Sequence, residues 1–199
     1  MGPAMLQYGN MMRCADCPAD PTANRRRICD LRLTSGGIAV HSDMLVWSKD
    51  ETPEGAALPI LNALFSTIQY SMVLATLPTS HRDVIRNWLG FSQRHRAALL
   101  MGAFRPHHAE NGYSWIEGES EDERVIAVYA DDVCANVGPA DRQTFIANAT
   151  GGVGVLVESA AAGRVEFFDV FGKSVGGAGL PAGISRLAIP ASGYAKIVW

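Results

Sequence analysis

The sequence predicts an α/β fold in two parts, with parallel strand–helix units in residues 1–105 and an antiparallel β domain in residues 106–199. Two observations indicate this division. Up to about residue 105 short apolar stretches alternate with helical patterns, whereas after residue 110 only short β-type runs remain, separated by turns rich in glycine, proline or acidic residues. Strands alternating with helices are typical of parallel units, and regularly spaced short strands are typical of an antiparallel sandwich or barrel.

The first helix has clear start and stop signals. Asp20 is suited to cap a helix whose first residue is Pro21, and glycines at 36 and 37 end the pattern after about Leu33. The β-branched run at 38–40 then predicts a strand that is buried on both faces.

Two further helices and one strand follow in the first part. Thr52 begins a helix that is apolar on nearly all sides over 56–68 and is therefore expected to be buried. The run at 71–76 predicts the next buried strand. Ser80 with Asp83 resembles a capping box at the start of the third helix.

Seven short runs predict the strands of the second part. They lie at 113–116, 125–129, 144–147, 153–157, 165–170, 187–189 and 195–198. Trp88 and Trp115 are expected in the core, because large aromatic residues are mostly buried.

The composition is that of a chain with a packed core. Of the 199 residues 48% are hydrophobic and 19% are charged, and the net charge of −3 offers no field that would attract nucleic acid. No segment approaches the roughly 20 apolar residues that a membrane helix needs. The first residues show no signal-peptide pattern. We therefore expect neither nucleic acid nor a membrane as a partner.

The cysteines leave two interpretations open. Cys14 and Cys17 form a C-x-x-C pair, which is typical of zinc or redox proteins, but Cys29 and Cys134 are single and far apart. Structural zinc usually needs two such pairs. We therefore expect small buried thiols and no metal or cofactor, with a zinc or thiol protein as the alternative.

Charged side chains concentrate after two of the predicted parallel strands. Arg13 and Asp16 lie in the first cluster, and His41 and Asp43 lie in the second. The carboxyl ends of parallel strands are where α/β folds place their functional groups. Burying these charges is costly unless they face a polar cleft, so the two clusters predict a site.

The residues of these clusters resemble glycoside hydrolase families 27 and 36, the α-galactosidases or melibiases. The resemblance lies in the Asn-x-x-Arg-x-x-Asp run that ends at Asp16 and in Asp43-Met44-Leu45 after the next strand. It covers most of residues 6–104 and, more loosely, the rest to Trp199. It implies that the first part is the C-terminal portion, the last βα units, of a (β/α)8 TIM barrel, followed by an antiparallel β-sandwich domain.

The resemblance also implies roles for five residues. Asp16 would be the general acid/base, Arg13 would bind a sugar hydroxyl, and His41 and Asp43 would line the pocket. Trp47 is either a platform on which the sugar stacks or a core aromatic residue. Simpler alternatives are a surface ion pair between Asp16 and Arg13 and a core histidine at position 41.

The implied function is hydrolysis of terminal α-linked galactose with retention of configuration, without a cofactor and with an α-galactoside as the ligand. Such an enzyme needs two carboxyl groups roughly 5–5.5 Å apart. In the family the nucleophilic Asp follows barrel strand four, which would precede residue 1. We therefore expect a C-terminal fragment that is inactive alone.

Three further expectations accompany this interpretation. A non-catalytic carbohydrate-binding or scaffold protein is the alternative function. Incomplete pairing of the strands at 38–40 and 71–76 would lead to association through their edges, as a homo-oligomer or a poorly soluble chain. The run at 25–27 is expected to be a solvated helix face.

Overall fold

A computed structural model describes residues 8–14, 16, 20–138 and 141–199. Within these residues most of the regular structure is β-sheet, with thirteen strands in three sheets and three α-helices. No helix in the described part of the chain has the length and hydrophobicity needed to span a bilayer.

The first part of the chain forms a small parallel sheet. The elements follow one another as β1 (Met11–Arg13), α1 (Pro21–Thr34), β2 (Ala39–Leu45), α2 (Pro53–Asn62) and β3 (Thr67–Tyr70). The strand order is β1-β2-β3, and both neighbouring pairs are parallel. The predicted parallel pairing of these strand–helix units is therefore confirmed.

The predicted starts of the first two helices are also confirmed. The carboxylate of Asp20 accepts a hydrogen bond from the Thr22 backbone N–H at 2.8 Å, and Pro21 occupies the first turn of α1. The hydroxyl of Thr52 accepts from the Gly55 N–H at 3.0 Å. In both helices a side chain satisfies a backbone donor that would otherwise lack a partner.

The predicted strand at 71–76 is wrong. β3 ends at Tyr70, and Leu74–Thr76 forms a single 3-10 turn. Val73 is 68% exposed, so the apolar composition of this run does not reflect burial. The strand that does form lies four residues earlier, directly after α2, where it pairs with β2.

The third helix, α3, spans Thr79–Arg94 and is followed by a π-helical segment at Ala97–Met101. The predicted capping box at its start is wrong, because Ser80 lies inside the helix instead of before it. The carboxylate of Asp83 pairs with Arg86 one turn later. Trp88 is fully buried, as predicted.

The second part forms two facing sheets. A seven-stranded sheet has the order β11-β10-β13-β8-β6-β5-β4, and a three-stranded sheet has the order β12-β9-β7. Most pairs are antiparallel, whereas β6–β8 and β7–β9 are parallel. The predicted β-sandwich is therefore confirmed. Its strands are β4 (Ala103–His107), β5 (Trp115–Glu119), β6 (Glu123–Val128), β7 (Cys134–Asn136), β8 (Gln143–Asn148), β9 (Val155–Ser159), β10 (Gly163–Phe168), β11 (Ser174–Leu180), β12 (Gly183–Leu187) and β13 (Tyr194–Val198).

The middle of the seven-stranded sheet is buried on both faces. Along β6, Val125 and Ala127 belong to the apolar cluster that includes the helices, whereas Ile126 and Val128 belong to the cluster shared with the three-stranded sheet. This alternation follows from the two-residue period of a strand. The sheet is therefore the central layer of the molecule.

The predicted TIM-barrel part is wrong. The parallel strands form an open three-stranded sheet that closes into no barrel in the described chain. The barrel does not form because α3 packs against the seven-stranded sheet. Trp88 and Phe91 of α3 contact the ring of Tyr194 on β13, so this helix covers the seven-stranded sheet instead of forming part of an outer ring. The predicted division at residue 105 falls inside β4.

Arg25 corrects the prediction of a solvated arginine face. It is only 6% exposed, whereas the next two arginines are exposed. Its Nη1 donates to Asn62 Oδ1 at 2.5 Å, its Nε donates to the Gly112 carbonyl at 3.1 Å, and its guanidinium lies 4.1 Å from the centre of the Tyr129 ring. Burial lowers the pKa of Arg25 from its usual value. This side chain therefore joins α1 to α2 and to the β domain.

Candidate functional site

The parallel pairing of β1 with β2 brings the two predicted clusters together. Arg13 is the last residue of β1, and its register partner in β2 is His41. The backbone N–H of Cys14 donates to the His41 carbonyl at 3.0 Å, which extends the pairing past the strand. Arg13 therefore lies beside the segment of β2 that carries His41 and Asp43.

A bulge in β2 directs the side chain of Asp43. The pairing of β2 with β3 shifts register between His41 and Met44, and Asp43 has a left-handed φ of 62°. Aspartate tolerates this conformation better than most residues, but it still has an energetic cost. Such irregularities in a strand re-aim side chains and are frequent next to functional sites.

Side chains from the bulge satisfy its backbone groups. The Asp43 N–H donates to His41 Nδ1 at 3.1 Å, and the Ser42 hydroxyl donates to the Asp43 carbonyl at 2.8 Å. The Gln69 N–H of β3 donates to the same Ser42 hydroxyl at 3.1 Å. The bulge is therefore fixed from both sides, and His41 has a defined role in holding it.

Arg13 contacts two carboxylates. Its Nε lies 2.9 Å from Asp43 Oδ1, and its Nη2 pairs with Asp16 Oδ1. The Asp43 side chain is 2% exposed, whereas that of Asp16 is 88% exposed. One guanidinium thus joins a buried carboxylate to a carboxylate at the surface. The buried charge is stabilised by its partner, since an unpaired one would carry a large desolvation cost.

This arrangement has the donors and acceptors that a polyhydroxylated ligand needs. A guanidinium donates to hydroxyl oxygens, and a carboxylate accepts from hydroxyl groups. The Asp16 carboxylate is exposed to solvent, whereas that of Asp43 is buried. The cluster therefore presents both hydrogen-bond donors and acceptors, and Asp16 is the carboxylate in it that a molecule from solvent can reach.

Trp47 lies outside this cluster. Its ring is partly buried against the helical core, and its Nε1 donates to His81 Nδ1 of α3 at 3.2 Å. The opposite nitrogen of His81 bonds to the Glu51 carbonyl at 2.8 Å. Of the five predicted site residues, Arg13, Asp16, His41 and Asp43 come together, and Trp47 instead connects the segment after β2 to α3.

Cys14 lies next to the cluster. Its Sγ donates to Asn24 Oδ1 at 2.8 Å. Burial and, second, the Asp43 carboxylate raise the pKa of the Cys14 thiol to about 11, so it is protonated at neutral pH. A protonated thiol is a poor nucleophile and a poor metal ligand.

Cys17, the other half of the predicted C-x-x-C pair, lies outside the described residues. The described residues contain no group of three or more His, Cys, Asp or Glu side chains that could hold a metal.

One further feature, which no sequence motif indicated, is a cavity of about 480 Å³ beside α3. It is lined from α3 and from the turn between β10 and β11 by Ser80, Asp83, Arg86, Asn87, Arg94, Phe171 and Lys173. The polar residues of α3 recur at helical spacing, which is the signal that could have indicated this face. The turn that completes the cavity is far away in sequence and gave no signal.

Comparison with known protein families finds no family model that matches the chain, and comparison with curated proteins finds no significant sequence match. The resemblance to the α-galactosidases therefore stays a prediction that depends on the residues quoted for it.

Proposed function

We propose that this chain carries the acid/base part of an α-galactosidase-like retaining glycoside hydrolase, which acts on terminal α-linked galactose. Asp16 is the general acid/base in this proposal, and Arg13 binds a sugar hydroxyl. The observation that carries it is the contact of one guanidinium with two carboxylates, one buried and one exposed, beside the strand pair that the sequence motifs mark.

Each group in the cluster has a role in this chemistry. Asp16 donates a proton to the glycosidic oxygen as the bond to the leaving group breaks, and later takes a proton from the attacking water. Asp43 holds Arg13 in place and, because it is buried and ion-paired, is a positioning residue and not the nucleophile. His41 fixes the bulge that presents Asp43. The proposal assigns the nucleophile to no described residue.

The second candidate function is carbohydrate binding without catalysis. One observation favours it, because Arg13 engages both carboxylates of the cluster at once. Such an arrangement recognises hydroxyl groups without needing a nucleophile. The two functions differ in whether Asp16 transfers a proton to a leaving group.

Azide separates the two functions because it can act as an external nucleophile. With phenyl α-galactoside as substrate, azide would attack the anomeric carbon, the bond to the phenolic oxygen would break, and Asp16 would protonate that oxygen. The products are β-galactosyl azide and phenol. We expect azide-dependent release of phenol, reduced on the order of 10²-fold in Asp16→Asn. The matched control is Asp50→Asn, an exposed carboxylate in the segment between β2 and α2, which is expected to behave as the wild type.

The outcomes discriminate between the proposals. Phenol release that is equal in the wild type and in Asp16→Asn would contradict the acid/base role. Binding of the galactoside without azide-dependent release would favour the carbohydrate-binding function, and absence of binding would contradict both.

A further inference from the structure

We infer that the cavity between α3 and the β10–β11 turn binds a phosphate monoester that carries a flat apolar group. This site lies apart from the Arg13 cluster, and the inference does not depend on the proposed function. The cavity measures about 480 Å³, within the range that is usual for small-molecule sites, which is roughly 300–1,000 Å³.

One face of α3 forms the floor of the cavity. Ser80, Asn87 and Arg94 are seven residues apart, which is close to two helical turns, so they share this face. Gly90 lies between Asn87 and Arg94 on the same face and contributes no side chain. A Cβ atom added at Gly90 would lie 3.2 Å from a terminal nitrogen of Arg94. The glycine thus leaves space into which the Arg94 guanidinium folds back.

The opposite wall is a turn whose conformation is fixed by its own hydrogen bonds. One carboxylate oxygen of Asp169 accepts from the N–H groups of Phe171 and Lys173, both at 2.9 Å. Gly172 has a φ of 77°, a conformation that other residues rarely adopt. The amide of Asn87 donates to the Val170 carbonyl at 2.9 Å and joins the turn to α3. Lys173 and Phe171 are therefore held opposite the helix before any ligand binds.

The charges around the cavity favour an anion. Three lining side chains are cationic and one is a carboxylate. That carboxylate, Asp83, pairs with Arg86, and the Asp169 carboxylate accepts two backbone N–H groups inside the turn, so these groups together carry one net positive charge. Arg94 on the helix and Lys173 on the turn are the two cations available for a phosphate monoester, which carries nearly two negative charges at neutral pH. Guanidinium and ammonium groups both bind phosphate oxygens through charge-assisted hydrogen bonds.

The remaining wall is aromatic and offers a contact for the part of the ligand that is not phosphate. Phe171 is partly buried against the helical core and lines the cavity. A flat ring on the ligand can stack on this side chain, whereas inorganic phosphate cannot. The expected ligand therefore joins a phosphate group to an aromatic or similarly flat group.

Phenyl phosphate is the probe that tests this inference in the full chain. Isothermal titration calorimetry is expected to show saturable binding that is tighter than that of inorganic phosphate, and phenol is expected not to bind. The double variant Arg94→Gln/Lys173→Gln is expected to lose at least about tenfold in affinity, since each charge-assisted bond contributes about that factor. The control Lys49→Gln/Arg164→Gln removes the same charge away from the cavity lining and is expected to change affinity by less than about twofold, because salt screens distant charges.

Nuclear magnetic resonance of the wild-type chain keeps the test valid if the double variant fails to fold. Phenyl phosphate is expected to shift the backbone amide signals of Asn87 and Phe171. Absence of binding, equal losses in both double variants, or shifts confined to other regions would each overturn the inference. Inorganic phosphate binding as tightly as phenyl phosphate would overturn the aromatic part of the ligand assignment.

Discussion

The seven-stranded sheet and the three-stranded parallel sheet differ in how completely they are covered. Residues 124–128 of β6 are buried on both faces of the sheet. In contrast, β3 has no fully buried residue, and Met11 of β1 is 45% exposed. The candidate site thus lies on the three-stranded parallel sheet, whereas the middle strands of the seven-stranded sheet contribute to both apolar clusters of the core.

The two sheets are therefore expected to differ in local stability. Regions with few buried contacts open locally at a lower free energy than the global core, and binding sites are often drawn from such regions. The parallel sheet also ends at β1 and β3, whose outer edges are unpaired in the described chain. Association of the chain through these edges, and hence a homo-oligomer, stays a prediction.

The largest expected effect comes from removing an aromatic side chain between the helices and the central sheet. Trp88 is fully buried and packs against Phe91 and Tyr194. We expect Trp88→Ala to lower the free energy of unfolding by about 3–5 kcal/mol, because it leaves a cavity. Urea denaturation followed by circular dichroism measures this. The control is Leu89→Ala next to it, which is 43% exposed and should cost less than about 1 kcal/mol. Equal costs would contradict the layer arrangement.

The second largest effect is expected where the two regions join. Arg25→Ala removes two hydrogen bonds and the contact with the Tyr129 ring, and leaves Asn62 Oδ1 without this donor. We expect a loss of about 2–4 kcal/mol in the free energy of unfolding. Its exposed neighbour provides the matched variant, Arg26→Ala, which should change this free energy by less than about 0.5 kcal/mol. A similar loss in both would indicate that Arg25 has no joining role.

Local sequence signals predicted the elements that depend on neighbouring residues alone. The cap at Asp20 and the alternating strands such as β6 are of this kind. β11 was missed because three of its seven residues are glycine, which strands usually avoid, and its pairing with β10 overrides that preference. β4 was missed because it contains Pro106, which an edge strand tolerates.

Features that depend on distant contacts were not predictable in this way. The barrel expectation failed because the apolar faces of α2 and α3 pack on a sheet that the chain forms only later. At the site, the motifs indicated that Arg13 and Asp43 lie at neighbouring strands. The bulge that directs Asp43 depends on hydrogen bonds from Ser42, His41 and Gln69, which no sequence spacing reveals.

The smallest expected effect is a pH dependence of the core. His95 is buried beside Phe145, and its Nδ1 lies 2.7 Å from Glu123 Oε2. Burial lowers the pKa of His95 below its ordinary value, although the Glu123 carboxylate opposes this. The unfolded chain therefore takes up a proton more readily. The stabilisation is complete above the ordinary pKa of about 6.5 and is lost as the pH falls through the lower folded value.

We therefore expect the free energy of unfolding to decrease between about pH 7 and pH 5, and to decrease less in His95→Gln. Urea denaturation at several pH values measures both slopes. Burial also lowers the pKa of His107, so His107→Gln is expected to reduce the slope separately, by its own contribution, and leaves the core histidine intact. A wild-type slope that His95→Gln does not change would contradict the assignment of this dependence to His95.

Calorimetric titration of the chain with methyl α-galactoside, in the wild type and in Arg13→Gln, tests whether the guanidinium that joins Asp16 and Asp43 forms a sugar site. We expect saturable binding that Arg13→Gln abolishes and that Lys49→Gln, which removes an exposed charge outside the cluster, leaves unchanged. Absence of binding in the wild type, or equal binding in Arg13→Gln, would contradict a sugar site at this guanidinium.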